Sequence, residues 1–141
     1  MKKSNRGKVD PFIVMDVMEK ARLEEEKGRS VIHMEVGQPS TPAPKGAIKE
    51  LSRKLGVDAL GYTVALGLPK LRQKISDLYQ KWYNIDLNPD RVIVTSGSSG
   101  AFLLSFTALF DQGARVGIAA PGYPSYRQIM KSLDIMKRAI R

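Results

Sequence analysis

The sequence predicts an α/β fold built on a parallel sheet with right-handed crossovers. Two short apolar runs carry that expectation, Val92-Ile93-Val94 and residues 116–120, each ending in a turn rich in small residues or proline. Each run is followed by a stretch with helical spacing, residues 100–110 and then Tyr126, Ile129, Met130 and Leu133. Strand and helix alternating in this way imply parallel pairing, because a helix is the usual crossover between parallel strands.

The elements follow in order. Asp10-Pro11 reads as an N-cap followed by proline at the first helical position. Val14, Val17, Met18 and Ala21 then line one face, and Gly28 closes the helix. Residues 31–36 alternate as a short strand and run into Gly37-Gln38-Pro39-Ser40-Thr41-Pro42-Ala43-Pro44. The prolines hold this loop extended and leave it little entropy to lose. Residues 45–55 read as a helix with Ile48, Leu51 and Leu55 on one side. Beyond Gly56 lies a loop carrying Gly61-Tyr62 and Gly67-Leu68-Pro69. Leu71, Ile75, Leu78 and Trp82 mark the inner face of an amphipathic helix ending near Asn84. Pro89-Asp90 turns the chain into the strand at Val92. The helix over 100–110 is nearly all apolar and is expected to be buried on most sides. Asp111-Gln112-Gly113 turns the chain again, into the strand over 116–120. Pro121-Gly122-Tyr123-Pro124 then leads into the following helix, and residues 134–141 read equally as strand or frayed helix. No internal repeat is visible.

At 141 residues the chain is one domain, or a piece of a larger one. Its lack of cysteine excludes disulfides, thiolate metal sites and a cysteine nucleophile. The net charge of +9 raises the question of nucleic acid. Lys2, Lys3, Arg6 and Lys8 form a basic start, and Lys137, Arg138 and Arg141 a basic end. The remaining cations are interspersed with acids such as Glu24, Glu25 and Glu26, which reads as solvated helix faces plus a basic tail. Asp10, Asp16 and Glu19 interrupt any signal-peptide core, and no apolar run approaches a membrane span. A soluble, cytoplasmic protein with neither nucleic-acid nor membrane partners is expected.

The most informative stretch is Thr95-Ser96-Gly97-Ser98-Ser99, between a strand and an apolar helix. Such a turn aims free backbone N–H groups and the positive end of a helix dipole at an anion, most often a phosphate. No lysine follows as a nucleotide P-loop requires, and Gly97 and Gly100 lack the dinucleotide spacing. Two readings remain. One is a small anion cup made by the N–H groups and hydroxyls of Ser98 and Ser99, with Gly97 allowing close approach. The other is Ser98 as a plain N-cap, worth ~1 kcal/mol. Tyr123 follows the next strand, at the end where open α/β sheets bind ligands. It offers a flat aromatic face or, alternatively, packs as a turn tyrosine against Tyr126. His33, the sole histidine, reads as structural, and no metal site is expected.

Gly37-Gln38-Pro39, Gly61-Tyr62, Gly67-Leu68-Pro69 with Leu71-Arg72, Thr95-Ser96-Gly97-Ser98-Ser99 and Pro121-Gly122-Tyr123-Pro124-Ser125-Tyr126 occur in this order. The chain thereby resembles class I/II aminotransferases, fold-type-I enzymes dependent on pyridoxal 5'-phosphate, from about Asp10 to Leu133. The resemblance implies an N-terminal arm plus the start of a parallel-sheet, aspartate-aminotransferase-like large domain, incomplete here. Residues 1–44 would be the arm and substrate-side segment, and 45–141 the beginning of a truncated cofactor-binding domain. It also implies roles for matched positions. Gly97, Ser98 and Ser99 would take the cofactor phosphate, and Tyr123 would stack on the pyridine ring. Tyr62 would reach the phosphate of a neighbouring subunit's cofactor in a homodimer, and Gly37 would contact the substrate carboxylate. Arg72 is expected on a helix face rather than as a ligand. Gly100 departs from the polar residue common at its position, which weakens one expected polar contact.

Transamination by this cofactor needs a Schiff-base lysine and an acid against the pyridine nitrogen. In the resembled family both lie downstream of the matched segment, as does the arginine that grips the substrate carboxylate. Lys131 and Lys137 lie on or after a surface helix, without such a context. The expectation is therefore the N-terminal part of an enzyme exchanging an amino group between an amino acid and a 2-oxo acid, inactive by itself. The alternative is a non-catalytic remnant that binds a phosphorylated ligand or only dimerises. Strands with exposed edges would leave the isolated chain marginally stable.

Overall fold

The computed structural model describes residues 4–140, with the backbone alone at 137, 139 and 140. In chain order the elements are α1 (Ile13–Glu26), α2 (Lys45–Lys54), α3 (Pro69–Tyr83), α4 (Gly97–Leu109), β1 (Arg115–Ala119), α5 (Pro124–Ser132) and β2 (Met136–Ile140). Single 3-10 turns lie at Asn5–Gly7 and Pro89–Arg91. The chain forms two compact units. One is residues 38–95; the other joins the segment up to Gly37 with the segment from Ser96 onward.

The second of these units holds the sheet. β1 and β2 pair in parallel, with Arg115 opposite Met136 and Ala119 opposite Ile140, and α5 is the crossover between them. The parallel strand–helix–strand arrangement is the expected kind, but it lies one element later. It joins the predicted strand near 116–120 to the ambiguous C-terminal stretch, which is strand, and not the run at Val92 to residues 116–120. Arg141 lies outside the described residues, as do Lys2 and Lys3. The entries of the two strands are tied together. Gly113 N–H donates to the Asp134 carbonyl at 2.8 Å, and Met136 N–H to the Ala114 carbonyl at 2.8 Å. Met130 of α5 and Ile135 form the core, 1% and 5% exposed.

α4 begins at Gly97, so Gly97, Ser98 and Ser99 form its first turn rather than the loop before it. Phe102, Phe106 and Phe110 pack along one side, with ring centroids 5.7 and 5.9 Å apart. Burial on most sides does not occur: Leu104 and Leu109 are 59% and 72% exposed. Every face of this helix is apolar, yet α5 is the helix packed against it. The N-terminal helix also differs from expectation. α1 starts at Ile13 with Phe12 at the cap position, making no side-chain cap bond. Asp10 instead pairs with Lys131 Nζ on α5 at 3.0 Å.

Neither residues 31–36 nor the run at Val92 forms a strand. An extended segment becomes a strand only when a neighbour offers a ladder of bonds. Ile32 and Met34 stand largely in solvent. Val92 N–H turns back to the Pro89 carbonyl, and Val94 N–H crosses to the Leu66 carbonyl at 3.0 Å.

In the 38–95 unit, α3 starts with proline at its first position and ends where Asn84 takes a left-handed conformation, φ 55°. Of the predicted inner face, Ile75 is half-buried, whereas Leu71, Leu78 and Trp82 are exposed. Arg72 and Ser76, one turn apart, are the buried residues, at 8% and 7%. Arg72 Nε donates to the carbonyls of Pro89 and Val92 at 3.1 and 2.9 Å. Its Nη2 donates to the Pro89 carbonyl and to the Asp90 carboxylate at 2.8 and 2.9 Å. Ser76 Oγ donates to the Leu87 carbonyl. Arg72 is thus on the helix as expected, but it is the staple of this unit rather than an ordinary surface residue. The other helix cations behave as solvated faces, with near-neighbour pairs such as Arg53–Glu50 and Lys74–Asp77.

Candidate functional site

The first turns of α4 and α5 meet at one corner of the sheet-bearing unit, and the turn after β1 leads directly into α5. α4 presents its N-terminal N–H groups there, with no acidic residue in its first turn to compete for them. Gly97 has φ +76°, a left-handed value that glycine adopts without strain. Ser96, not Ser98, occupies the cap position, and it makes no side-chain cap bond, so the plain N-cap reading of Ser98 does not hold. Ser98 and Ser99 are exposed rather than sealed in packing.

Tyr123 stands at the cap position of α5, immediately before Pro124. Its ring is 46% exposed and meets Tyr126 nearly edge-on, centroids 5.3 Å apart. The contact with Tyr126 is the one the turn-tyrosine reading expects. Tyr123 also lines a cavity of about 500 Å³ with Ala120, Pro121, Gly122, Tyr126 and Arg127. Gly122 is required by close packing: a Cβ there would lie 2.6 Å from the Ala119 carbonyl oxygen.

Two links join the α4 and α5 sides of this corner. Ser99 Oγ lies 3.3 Å from Ser125 Oγ, and Phe102 meets Tyr126 edge-on at 4.5 Å. Ser125 and Arg127 were not singled out by the sequence. The available signal was their place just after Tyr123, in the first turn of a helix that begins with proline. Of the other expected site residues, Gly37 is an exposed loop position ending its segment of this unit. Tyr62 belongs to the 38–95 unit, its ring fully exposed in a loop.

His33 lies in irregular chain rather than a strand, and its role is structural. Nδ1 is 2.6 Å from Glu35 Oε1 and Nε2 is 3.0 Å from Glu25 Oε1, which ties the chain after α1 back to that helix. The bond to Glu35, and then that to Glu25, raises the imidazole pKa above its ordinary 6.5. His33 in turn lowers the Glu35 carboxyl. The histidine contribution is fully present below its unfolded value and fades as pH rises through the raised folded value. The Glu35 contribution is present above the ordinary carboxylate range and fades as pH falls through the lowered one. Proton NMR of the single histidine should therefore give a midpoint above 6.5 that falls in Glu35→Gln. A midpoint at or below 6.5 would show the tether does not form.

With this geometry in place, comparison with known proteins is decisive. Residues 29–141 match the family model described as aminotransferase class I and II. The chain belongs to that family. A valine–pyruvate aminotransferase of Mycobacterium tuberculosis is 44% identical over 128 residues, covering 91% of this chain and 33% of the relative. An aspartate aminotransferase of Thermotoga maritima is 34% identical over 112 residues, covering 79% of this chain and 30% of the relative. The crystal structure of an aminotransferase from Mycobacterium tuberculosis superposes with a TM-score of 0.93 at 41% identity, covering 99% of this chain and 36% of that one. The chain therefore spans about a third of the length of the aminotransferases it matches and corresponds to an N-terminal portion of one. The chain has the α/β fold of the N-terminal portion of a fold-type-I aminotransferase, an incomplete domain.

Proposed function

We propose that this chain supplies the phosphate cup and ring platform of a pyridoxal-5'-phosphate-dependent transaminase, which exchanges an amino group between an amino acid and a 2-oxo acid. The observation that carries this reading is that the acid-free first turn of α4 meets the first turn of α5 through Ser99 and Ser125, and Tyr123, at the cap of α5, lines the neighbouring cavity. The donor set fits a phosphorylated aromatic cofactor. Backbone N–H groups and exposed hydroxyls suit a dianionic ester, and a half-exposed tyrosine beside an open cavity suits a flat ring.

Gly97, Ser98 and Ser99 would hold the phosphate, and Tyr123 would cover one face of the ring. Bound there, the cofactor supplies an electron sink for the substrate's α-carbon. The protein's part at this corner is to fix the ring's height and tilt and to keep water from its covered face. Gly37 would offer its backbone to the substrate carboxylate. Tyr62 would extend to the cofactor phosphate of a second subunit in a homodimer, which gives its exposed ring a use. In this reading residues 1–44 act as arm and substrate-side segment, residues 45–141 begin the cofactor domain, and the enzyme works in the cytoplasm.

The lysine that carries the cofactor is assigned to a segment outside these residues. No lysine is among the residues lining the Tyr123 cavity, Lys131 is paired with Asp10, and Lys27 with Glu24. The side chain of Lys137 lies outside the described residues. The same observation favours the second reading, a non-catalytic remnant that binds a phosphorylated ligand or only dimerises. Borohydride reduction of the isolated chain with pyridoxal phosphate is expected to leave no lysine specifically labelled, while inorganic phosphate displaces the bound cofactor. Stoichiometric labelling of one lysine would overturn the assignment. Displaceable binding without turnover is expected of the chain alone.

A further inference from the structure

We propose that Ser125 is a positioning residue for the phosphate cup, acting through the hydroxyl of Ser99; the inference rests on the cofactor reading above. The two hydroxyls are 3.3 Å apart and bridge the first turns of α4 and α5. Each carries one proton and two acceptor lone pairs. If Ser99 donates to Ser125, its proton is spent within the pair and an incoming anion meets a lone pair. If Ser125 donates to Ser99, the Ser99 proton is free to point at the anion. An anion at the α4 N-terminus accepts only, so its arrival selects the second arrangement.

The pair also has a mechanical consequence. Phe102 lies one turn beyond Ser99 on α4, and Tyr126 directly follows Ser125 on α5. Their edge-on contact at 4.5 Å is a second rung beside the hydroxyl pair. Tyr126 in turn touches Tyr123 at 5.3 Å. The route from phosphate cup to ring platform thus runs Ser99, Ser125, Tyr126, Tyr123, with the aromatic rung holding the helices in register. Removing the hydroxyl of Ser125 leaves that rung intact. The effect should therefore fall on recognition of the phosphate rather than on the fold.

The test is equilibrium dialysis of the full chain with pyridoxal 5'-phosphate and, separately, with pyridoxal, which lacks the phosphate. The ratio of the two affinities isolates the cup and corrects for any general loosening of the corner. Ser125→Ala is expected to lower that ratio by roughly two- to tenfold, the range for one neutral hydrogen bond. Ser99→Ala should lower it at least as much, the double variant no further than Ser99→Ala alone, and Ser125→Thr should restore it. An unchanged ratio in Ser125→Ala, or losses that multiply in the double variant, would overturn the proposal while leaving the cofactor reading standing. A wild-type chain that binds both compounds equally would instead overturn the cofactor reading, and this inference with it.

Discussion

Replacing Gly67 by alanine is expected to destabilise the 38–95 unit by about 2–5 kcal/mol. Two independent effects add there. Gly67 has φ +99°, a left-handed value that costs an L-residue ~1–2 kcal/mol. A Cβ at that position would also lie 2.6 Å from both Cβ and Cγ2 of Val94. Those atoms belong to a β-branched side chain held close to its backbone, so they cannot swing aside, and overpacking of this kind costs about 1–3 kcal/mol. Val94 N–H donates to the Leu66 carbonyl beside the clash, so the strain falls on the bond joining the two segments. Trp82, the only tryptophan, lies on α3 within the same unit and reports its unfolding by fluorescence. Urea titration of Gly67→Ala should show the loss, and Val94→Gly in that background should recover the packing share but not the φ share. An unchanged midpoint, or a second loss on adding Val94→Gly, would show that the close approach is not what requires glycine.

The helices and the strand β1 were legible in the sequence, the strand character of β2 was left open, and the isolated extended segments were misread. Helical spacing, proline at Pro69 and Pro124, and glycine at Gly28 are local signals, and a helix satisfies its backbone locally. The strand β1 was readable because α5 brings β2 back beside it within the same chain. Residues 31–36 and Val92–Val94 carry the same β-branched chemistry, but a strand is a property of pairing, and among the described residues neither forms a ladder, Val94 making a single bond to the Leu66 carbonyl. The exposure of α4 has a related cause. An all-apolar helix is expected to be buried, yet it is covered only where another element lies against it, and these residues are about a third of the matched relatives' length.

Candidate site residues could be named from the sequence where one segment carried the signal. Gly97, Ser98, Ser99 and Tyr123 each follow an extended run into a helix, so the chemistry of the turn could be read from residue types alone. The link between them could not. Ser99 and Ser125 are 26 positions apart, and only the packing of α4 on α5 brings their hydroxyls together. Arg72 lies on its helix as expected, but its burial was not legible, for the opposite reason. Charge and helical position together suggest a solvated face, and the acceptors that draw its guanidinium inward are carbonyls, which every residue carries and no sequence pattern marks.

Arg72→Met is expected to cost the 38–95 unit about 2–4 kcal/mol, and Asp90→Asn less than ~1 kcal/mol. The contrast follows from where the binding energy of the guanidinium lies. Three of its four described bonds go to carbonyl oxygens of Pro89 and Val92, and one goes to the Asp90 carboxylate. The arginine side chain is 9% exposed while that of Asp90 is 84% exposed, so the ion pair is largely screened and its carboxylate rehydrates freely when freed. The carbonyls lose a charged donor, and methionine, although it fills the space of the stem, has no donor to replace it. Lysine at this position should fall between the two, since a single ammonium cannot span the fork that the planar guanidinium makes. Trp82 fluorescence in urea gives the stability of each variant, and amide exchange at Val92 and Val94 gives the local loosening of the chain that follows the turn. Equal losses for Arg72→Met and Asp90→Asn would mean that the ion pair, not the carbonyl staple, holds α3 to the Pro89–Arg91 turn.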